Sequence, residues 1–206
     1  MPVSHDTLIH QLIRPPVRAV ARTPVTPNQV TTLRLVAGLA AGGAFAVGGA
    51  AYMAVGGVLM LLSLLLDRAD GELARQTGLS SIGGYRYDLV CDCLGNIVAF
   101  IGVGIGLRAT MGWWGVILGA SAGISIVALF YLLNVAKVAT TKGVSSNGRT
   151  LVDPDDAMLL VPFMVWFGVA PWIVEIGGTV TPLVAIVVGV RAALRLRRVS
   201  TVQSAH

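Results

Sequence analysis

The sequence predicts an all-α polytopic membrane protein of about six transmembrane helices, preceded by an amphipathic juxtamembrane segment. Three observations predict it. Of 206 residues, 55% are hydrophobic and 12% charged, with a mean hydropathy of +0.78, more apolar than one soluble core of this length requires. The apolar residues gather in runs that approach the roughly 20 residues a helix needs to cross a bilayer. Aromatic residues make up only 6% and the runs are continuous rather than alternating, which excludes a barrel with aromatic girdles.

The first 26 residues are polar and basic, with Arg14, Arg18 and Arg22, and contain no cleavable signal pattern. Leu8, Ile9, Leu12, Ile13, Val17 and Val20 recur at helical spacing beside those arginines, although Pro15-Pro16 interrupts the pattern. Residues 1–26 therefore read as an amphipathic cytoplasmic arm lying on an anionic leaflet. Next comes "TPNQVTTLR", a helix start with Thr26 or Asn28 as N-cap and Pro27 closing the preceding segment.

Apolar spans are drawn at 33–50, 52–67, 89–107, 113–134, 157–174 and 179–195, inside a membrane domain of residues 27–198. Gly48-Gly49 makes the first two a tight hairpin. Residues 199–206 form a cytoplasmic tail. With a cytoplasmic N-terminus, 14 of the 15 Lys and Arg residues lie on the cytoplasmic side and Arg108 alone lies opposite. The net charge of +5 and pI near 9.8 fit this membrane reading, and nucleic acid is no partner, because the basic residues flank apolar runs instead of forming one patch. Cys91 and Cys93 are too close for an unstrained bridge within a helix and read as small packing residues.

The stretch "LLDRADGELARQTGLSSIGGYRYDLVCD", from Leu65, places Asp67, Asp70, Asp88 and Asp92 at the cytoplasmic ends of the second and third spans. Residues three or four apart share a helix face, so Asp67 and Asp70 point together, as do Asp88 and Asp92. Gly71, Ala74 and Gly84 continue those faces with almost no side chain. Four carboxylates brought together repel unless cations neutralise them, and hard divalent ions, Mg²⁺ above all, are the natural partners. The small residues let a polar ligand lie against the backbone, while Arg75 can contact its phosphate. The pattern points to a metal-dependent diphosphate site. Helix caps and pairing with Arg68, Arg75 and Arg86 explain any one of these acids, but not all four at this spacing.

Asp67-x2-Asp70-Gly71-x2-Ala74-Arg75-x8-Gly84-x3-Asp88-x3-Asp92 resembles, at all eight fixed residues over 26 positions, the signature of the CDP-alcohol phosphotransferases, integral membrane enzymes of phospholipid synthesis. The resemblance implies transfer of a phosphoalcohol, here a phosphatidyl group, from CDP-diacylglycerol to a hydroxyl acceptor with release of CMP. It implies that Asp67, Asp70 and Asp88, helped by Asp92, bind two ions, Mg²⁺ or alternatively Mn²⁺, and that Asp92 is the general base. Gly71, Ala74, Arg75 and Gly84, with Asp70, would receive the CDP moiety. "TPNQVTTLR" is similar to the family's Pro-Asn-x-x-Thr segment and would bring Asn28 and Thr31 near the nucleotide. A homodimer is also implied.

The acceptor is less legible. Lys137, Lys142, Arg149 and Arg191 lie outside the signature, and Lys137, Arg149 and Arg191 are the candidates for an acceptor phosphate such as that of inositol phosphate or glycerol phosphate; as plain topology residues they need no ligand. Asp153 or Asp155 reads as an N-cap before the next apolar run. Tyr85-Arg86-Tyr87 is bulkier and more basic than the filling associated with the phosphatidylglycerol-phosphate branch of the family, which leaves the branch open. The alternatives are transfer from a soluble CDP-alcohol, an intramembrane prenyltransferase, or a transporter using the aspartates as an ion path. Internal repeats and broken helices, which would mark the transporter, are not evident in the sequence.

Overall fold

The computed structural model describes the backbone of residues 8–135, 144–146, 149–152 and 158–203, and side chains over 13–133 and 158–194. The chain is an all-α membrane bundle. Its helices are α1 (Leu8–Val20), α2 (Pro27–Val47), α3 (Gly49–Thr77), α4 (Ile82–Gly106), α5 (Arg108–Phe130), α6 (Leu160–Trp166) and α7 (Ala170–Gln203). The last turn of α5 widens into a π-helical segment, Tyr131–Val135, and a short antiparallel ribbon pairs β1 (Val144–Ser146) with β2 (Arg149–Val152).

Local chemistry explains the boundaries. Thr26 and Gln29 form a reciprocal capping box, with Thr26 N donating to Gln29 Oε1 at 2.9 Å, and Pro27 occupies the first helical turn, where its missing N–H costs nothing. Gly48 and Gly49, at φ 78° and 75°, reverse the chain between α2 and α3 in a conformation that a side chain would strain. Gly78 ends α3 in the left-handed conformation and Ser81 caps α4 by accepting from Gly84 N at 3.0 Å. The second and third expected spans are consequently longer than 52–67 and 89–107, and the four aspartates lie within helices rather than at their tips.

Five helices, α2, α3, α4, α5 and α7, are long and apolar enough to cross a membrane among the described residues. The segment expected to span at 157–174 is divided. Gly168, at φ 74°, stops α6 after seven residues, and α7 already begins at Ala170 and runs on through Pro182. Trp166 wedges against α3, where its ring covers Gly57 and its Nε1 donates to the Ala54 carbonyl at 3.1 Å.

The packing has the sign expected in lipid. Leu33, Val36, Val58 and Ile117 are more than half exposed, while the interior holds Ala41, Phe45, Ala99, Phe100, Val103 and Ala122. Gly42 and Gly102 bring α2 and α4 into backbone contact, since a Cβ at Gly102 would fall on the Gly42 carbonyl. At the other end from the aspartates, the Arg108 guanidinium lies 4.4 Å from the centre of the Trp113 ring. Helix α1 is continuous through Pro15-Pro16, and Ile13 and Val17 pack with Leu73 of α3. That contact sets α1 beside the acidic stretch.

Candidate active site

Three helices build the site. From α3 come Asp67, Asp70, Gly71, Ala74 and Arg75, from α4 Gly84, Asp88 and Asp92, and from the first turns of α2 Asn28, Thr31 and Arg34. One carboxylate oxygen each from Asp67, Asp70 and Asp88 lies within 4.8 Å of the others. Helical spacing aligned these side chains, and the packing of α2 against both α3 and α4 brings the two pairs together.

Arg34, which the sequence presents only as one of the positive-inside residues, is a further member of the site. Its guanidinium is buried, at 3% exposure, and pairs with Asp67 Oδ1, with Asp92 Oδ1 at 2.8 Å and with Asp88 Oδ1 at 3.1 Å. It also donates to the Asp88 carbonyl at 2.9 Å. A signal was available: Arg34 stands three residues after Thr31, on the same face of α2, and a cation inside an apolar helix needs an internal partner. Thr31 Oγ1 donates to Asp70 Oδ2 at 2.7 Å, and Asp70 is almost fully buried. Thus α2 supplies a partner to every one of the four carboxylates.

The four are not equivalent. Asp67, Asp70 and Asp88 converge, while Asp92 stands one turn deeper on α4 and meets the cluster through Arg34. Asp88 Oδ1 is buried yet accepts no well-formed hydrogen bond. An all-oxygen donor set, in which the buried Asp88 Oδ1 meets Arg34 as an ion pair at 3.1 Å without a well-formed hydrogen bond, fits a hard divalent cation. A small cavity of about 30 Å³ runs inward from Arg34, Asp67 and Asp92 between Gly38, Ser63 and Asn96. It has room for water and not for a nucleotide.

Gly71 leaves space at the end of the bundle where the aspartates lie, and Gly84 lets α4 come close to α2. A Cβ at Gly71 would meet only Arg75 Nη1, at 3.8 Å, and one at Gly84 would meet Asn28 Oδ1 at 3.2 Å and Ser81 Oγ at 3.1 Å. Asn28 is therefore drawn up to Gly84, across the gap between α2 and α4. Ala74 is half-buried and Arg75 is exposed on the same flank. Tyr87, part of the unusual Tyr-Arg-Tyr filling, shares a hydrogen bond of 2.9 Å with Thr32 and closes α4 onto α2.

Of the acceptor candidates, Lys137 lies outside the described residues, and so does the side chain of Arg149, whose backbone belongs to β2. Lys142, Asp153 and Asp155 lie outside them too. Arg191 is exposed on α7. That helix runs parallel to α5, with Gly178 beside Leu118 and Gly189 beside Leu132, which carries Arg191 to the end of the bundle where the aspartates lie.

The profile of the CDP-alcohol phosphatidyltransferases matches residues 24–194, well over half of the chain and every residue of the site just described. The chain belongs to that family. It is a membrane transferase of phospholipid biosynthesis, and this membership answers the prenyltransferase and transporter alternatives. Among its relatives is the phosphatidylinositol phosphate synthase of Mycolicibacterium smegmatis (strain ATCC 700084 / mc(2)155), 27% identical over 193 aligned residues that cover 84% of this chain and 81% of that protein.

Proposed function

We propose that this phosphatidyltransferase moves the phosphatidyl group of CDP-diacylglycerol onto a hydroxyl of a phosphorylated polyol, of the inositol phosphate class, and releases CMP. The observation that carries the reading is the convergence of Asp67, Asp70 and Asp88 beside the open face of Gly71, with Gly84 drawn close to Asn28. The acceptor class is supported by the name of the relative, a phosphatidylinositol phosphate synthase.

Asp67, Asp70 and Asp88, with Asp92, would hold divalent cations, Mg²⁺ in the first place, which supply neutralisation of the diphosphate and of the departing CMP. Arg75, Gly71, Ala74, Gly84, Asn28 and Thr31 receive the cytidine diphosphate end of the donor, with small residues below it and Arg75 on its phosphate. Asp92 is the general base. Arg34 holds its Oδ1, leaving Oδ2 to take the acceptor's hydroxyl proton. The acceptor oxygen bonds to the phosphatidyl phosphorus as the bond from that phosphorus to the CMP oxygen breaks, and CMP leaves with the electron pair. Arg191, with Lys137 and Arg149, is assigned to the acceptor's phosphate, whose charge a guanidinium at this end of α7 can meet.

The reaction end faces the cytoplasm in this proposal, because 14 of the 15 Lys and Arg residues belong on that side. Residues 1–26 form its surface-lying arm, 27–198 the catalytic domain and 199–206 the tail, and the working unit is a homodimer.

The test is CMP release by the purified protein in nanodiscs with CDP-diacylglycerol and Mg²⁺, against inositol phosphate, inositol, glycerol 3-phosphate and serine. CMP appearing only with inositol phosphate supports the proposal in full. Release with another acceptor reassigns the alcohol, and release only with a soluble CDP-alcohol reassigns the donor. No release and no CDP binding would sink the assignment.

A further inference from the structure

Between the fixed residues of the acidic motif lies Glu72, buried at 7% exposure on the flank of α3 that meets α1. A carboxylate this deep must be paired, and both of its oxygens are engaged. Oε2 accepts from Arg75 Nε at 3.2 Å and from Arg75 Nη2 at 2.9 Å. Oε1 accepts from Gln76 Nε2 at 2.8 Å and stands 3.6 Å from Arg14 Nε of α1. The remaining guanidinium nitrogen, Arg75 Nη1, points over Gly71, 3.8 Å from where a Cβ would stand. Arg14 itself sits between Ile13 and Val17, which pack on Leu73, the residue next to Glu72. One buried carboxylate thus joins the guanidinium beside the donor cleft to the helix that precedes the bundle.

We propose that Glu72 is a positioning residue, which fixes Arg75 with Nη1 over Gly71 for the phosphates of a cytidine diphosphate ligand and, through Arg14, makes that alignment depend on the docking of α1. The inference rests on the reading of Arg75 as a donor contact. Arg75 has a long side chain whose flank is exposed, so an untethered guanidinium would lose its freedom on each binding event. Tethering it beforehand removes that cost. Because binding couplings are reciprocal, a bound donor also tightens α1 against α3.

The experiment uses the full chain in nanodiscs, with CDP and Mg²⁺ titrated calorimetrically, KM and kcat measured with CDP-diacylglycerol, and thermal melts recorded for each variant. Arg75→Gln and Glu72→Gln are each expected to weaken CDP by roughly three- to tenfold and to raise KM with little change in kcat, the size set by ordering one long side chain. Adding Glu72→Gln to Arg75→Gln should weaken CDP no further. Glu72→Asp should recover part of the affinity. Arg14→Gln should shift CDP affinity in the same direction by less, with Arg14→Lys recovering it, and this pair carries the test if Glu72→Gln does not fold. If Arg75→Gln weakens CDP while Glu72→Gln and Arg14→Gln only lower the melting temperature, Glu72 is structural and the inference is overturned. If Arg75→Gln leaves CDP affinity unchanged, the donor role of Arg75 falls, and this inference with it.

Discussion

Arg34 Nη1 donates to Asp92 Oδ1 at 2.8 Å, so a cation near the start of α2 is held by a carboxylate of α4, 58 residues away. The same guanidinium pairs with Asp67 of α3 and with both the side chain and the carbonyl of Asp88. One buried positive charge therefore stands among carboxylates that would otherwise repel one another across two helices. Removing one partner from a buried ionic cluster costs about 3–5 kcal/mol, because the opposite charges remain without compensation. Arg34→Gln is expected to lower the melting temperature strongly in EDTA and less so in Mg²⁺, since a bound cation replaces the lost charge. Thermal unfolding in the two buffers checks it; equal losses in both would separate Arg34 from the proposed metal site.

Asp92→Asn should leave CDP affinity close to that of the native protein and reduce CMP release by about 10²–10⁴-fold, the range for loss of a positioned base. The amide retains the acceptor oxygen that Arg34 uses and loses the capacity to take a proton. Calorimetry with CDP and steady-state CMP release, made on the same preparation, read the two effects separately. Loss of CDP binding together with turnover would make holding the cation, and not taking the proton, the main role of Asp92.

Thr31→Val keeps the shape of the side chain and removes the hydroxyl that donates to Asp70 Oδ2 at 2.7 Å. A buried acceptor stripped of its donor costs about 1–3 kcal/mol, whereas Thr31→Ser should retain most of the stability. Melting curves of the two variants give the difference. An unchanged melting temperature for Thr31→Val would mean that Asp70 finds another donor.

Gly102→Ala places a methyl group against the Gly42 carbonyl and must push α4 away from α2. Overpacking of this kind costs about 1–3 kcal/mol. Since Asp88 and Asp92 ride on α4 while Arg34 rides on α2, Gly102→Ala should also lower turnover although it lies well below the site. Gly43→Ala, on open space in α2, is the control: it should raise melting slightly through helix propensity and leave CMP release unchanged.

The helical character and the membrane residence were legible in the sequence because each depends on local periodicity, while the eight signature residues stood out through their resemblance to the family's motif. Apolar run length sets what can cross lipid, and a spacing of three or four sets which carboxylates share a face. Asp67 with Asp70 and Asp88 with Asp92 could therefore be paired without any tertiary knowledge. The capping signal at Thr26 was equally local, yet the spans drawn from hydropathy stop short of Thr77 and start late for Ile82, because hydropathy falls where polar side chains turn inward to one another. Hydropathy also drew one span across 157–174, where a backbone with positive φ at Gly168 interrupts the helix.

Arg34 illustrates what stays hidden. In the sequence it is one basic residue among 15, and its value as a topology marker concealed its use as an internal counter-ion. Glu72 was passed over for the same reason, lying between fixed motif positions with nothing local to announce Arg14 as its partner. Sequence alone settled the all-α membrane class and which faces carry the acids. The tertiary structure decided that Asp92 stands apart from the other three, that Arg34 bridges them, and that α1 leans on the flank of Arg75. Pairings between helices depend on how close two backbones come, and here that distance is set by contacts such as Gly42 with Gly102, many residues from the charges they bring together.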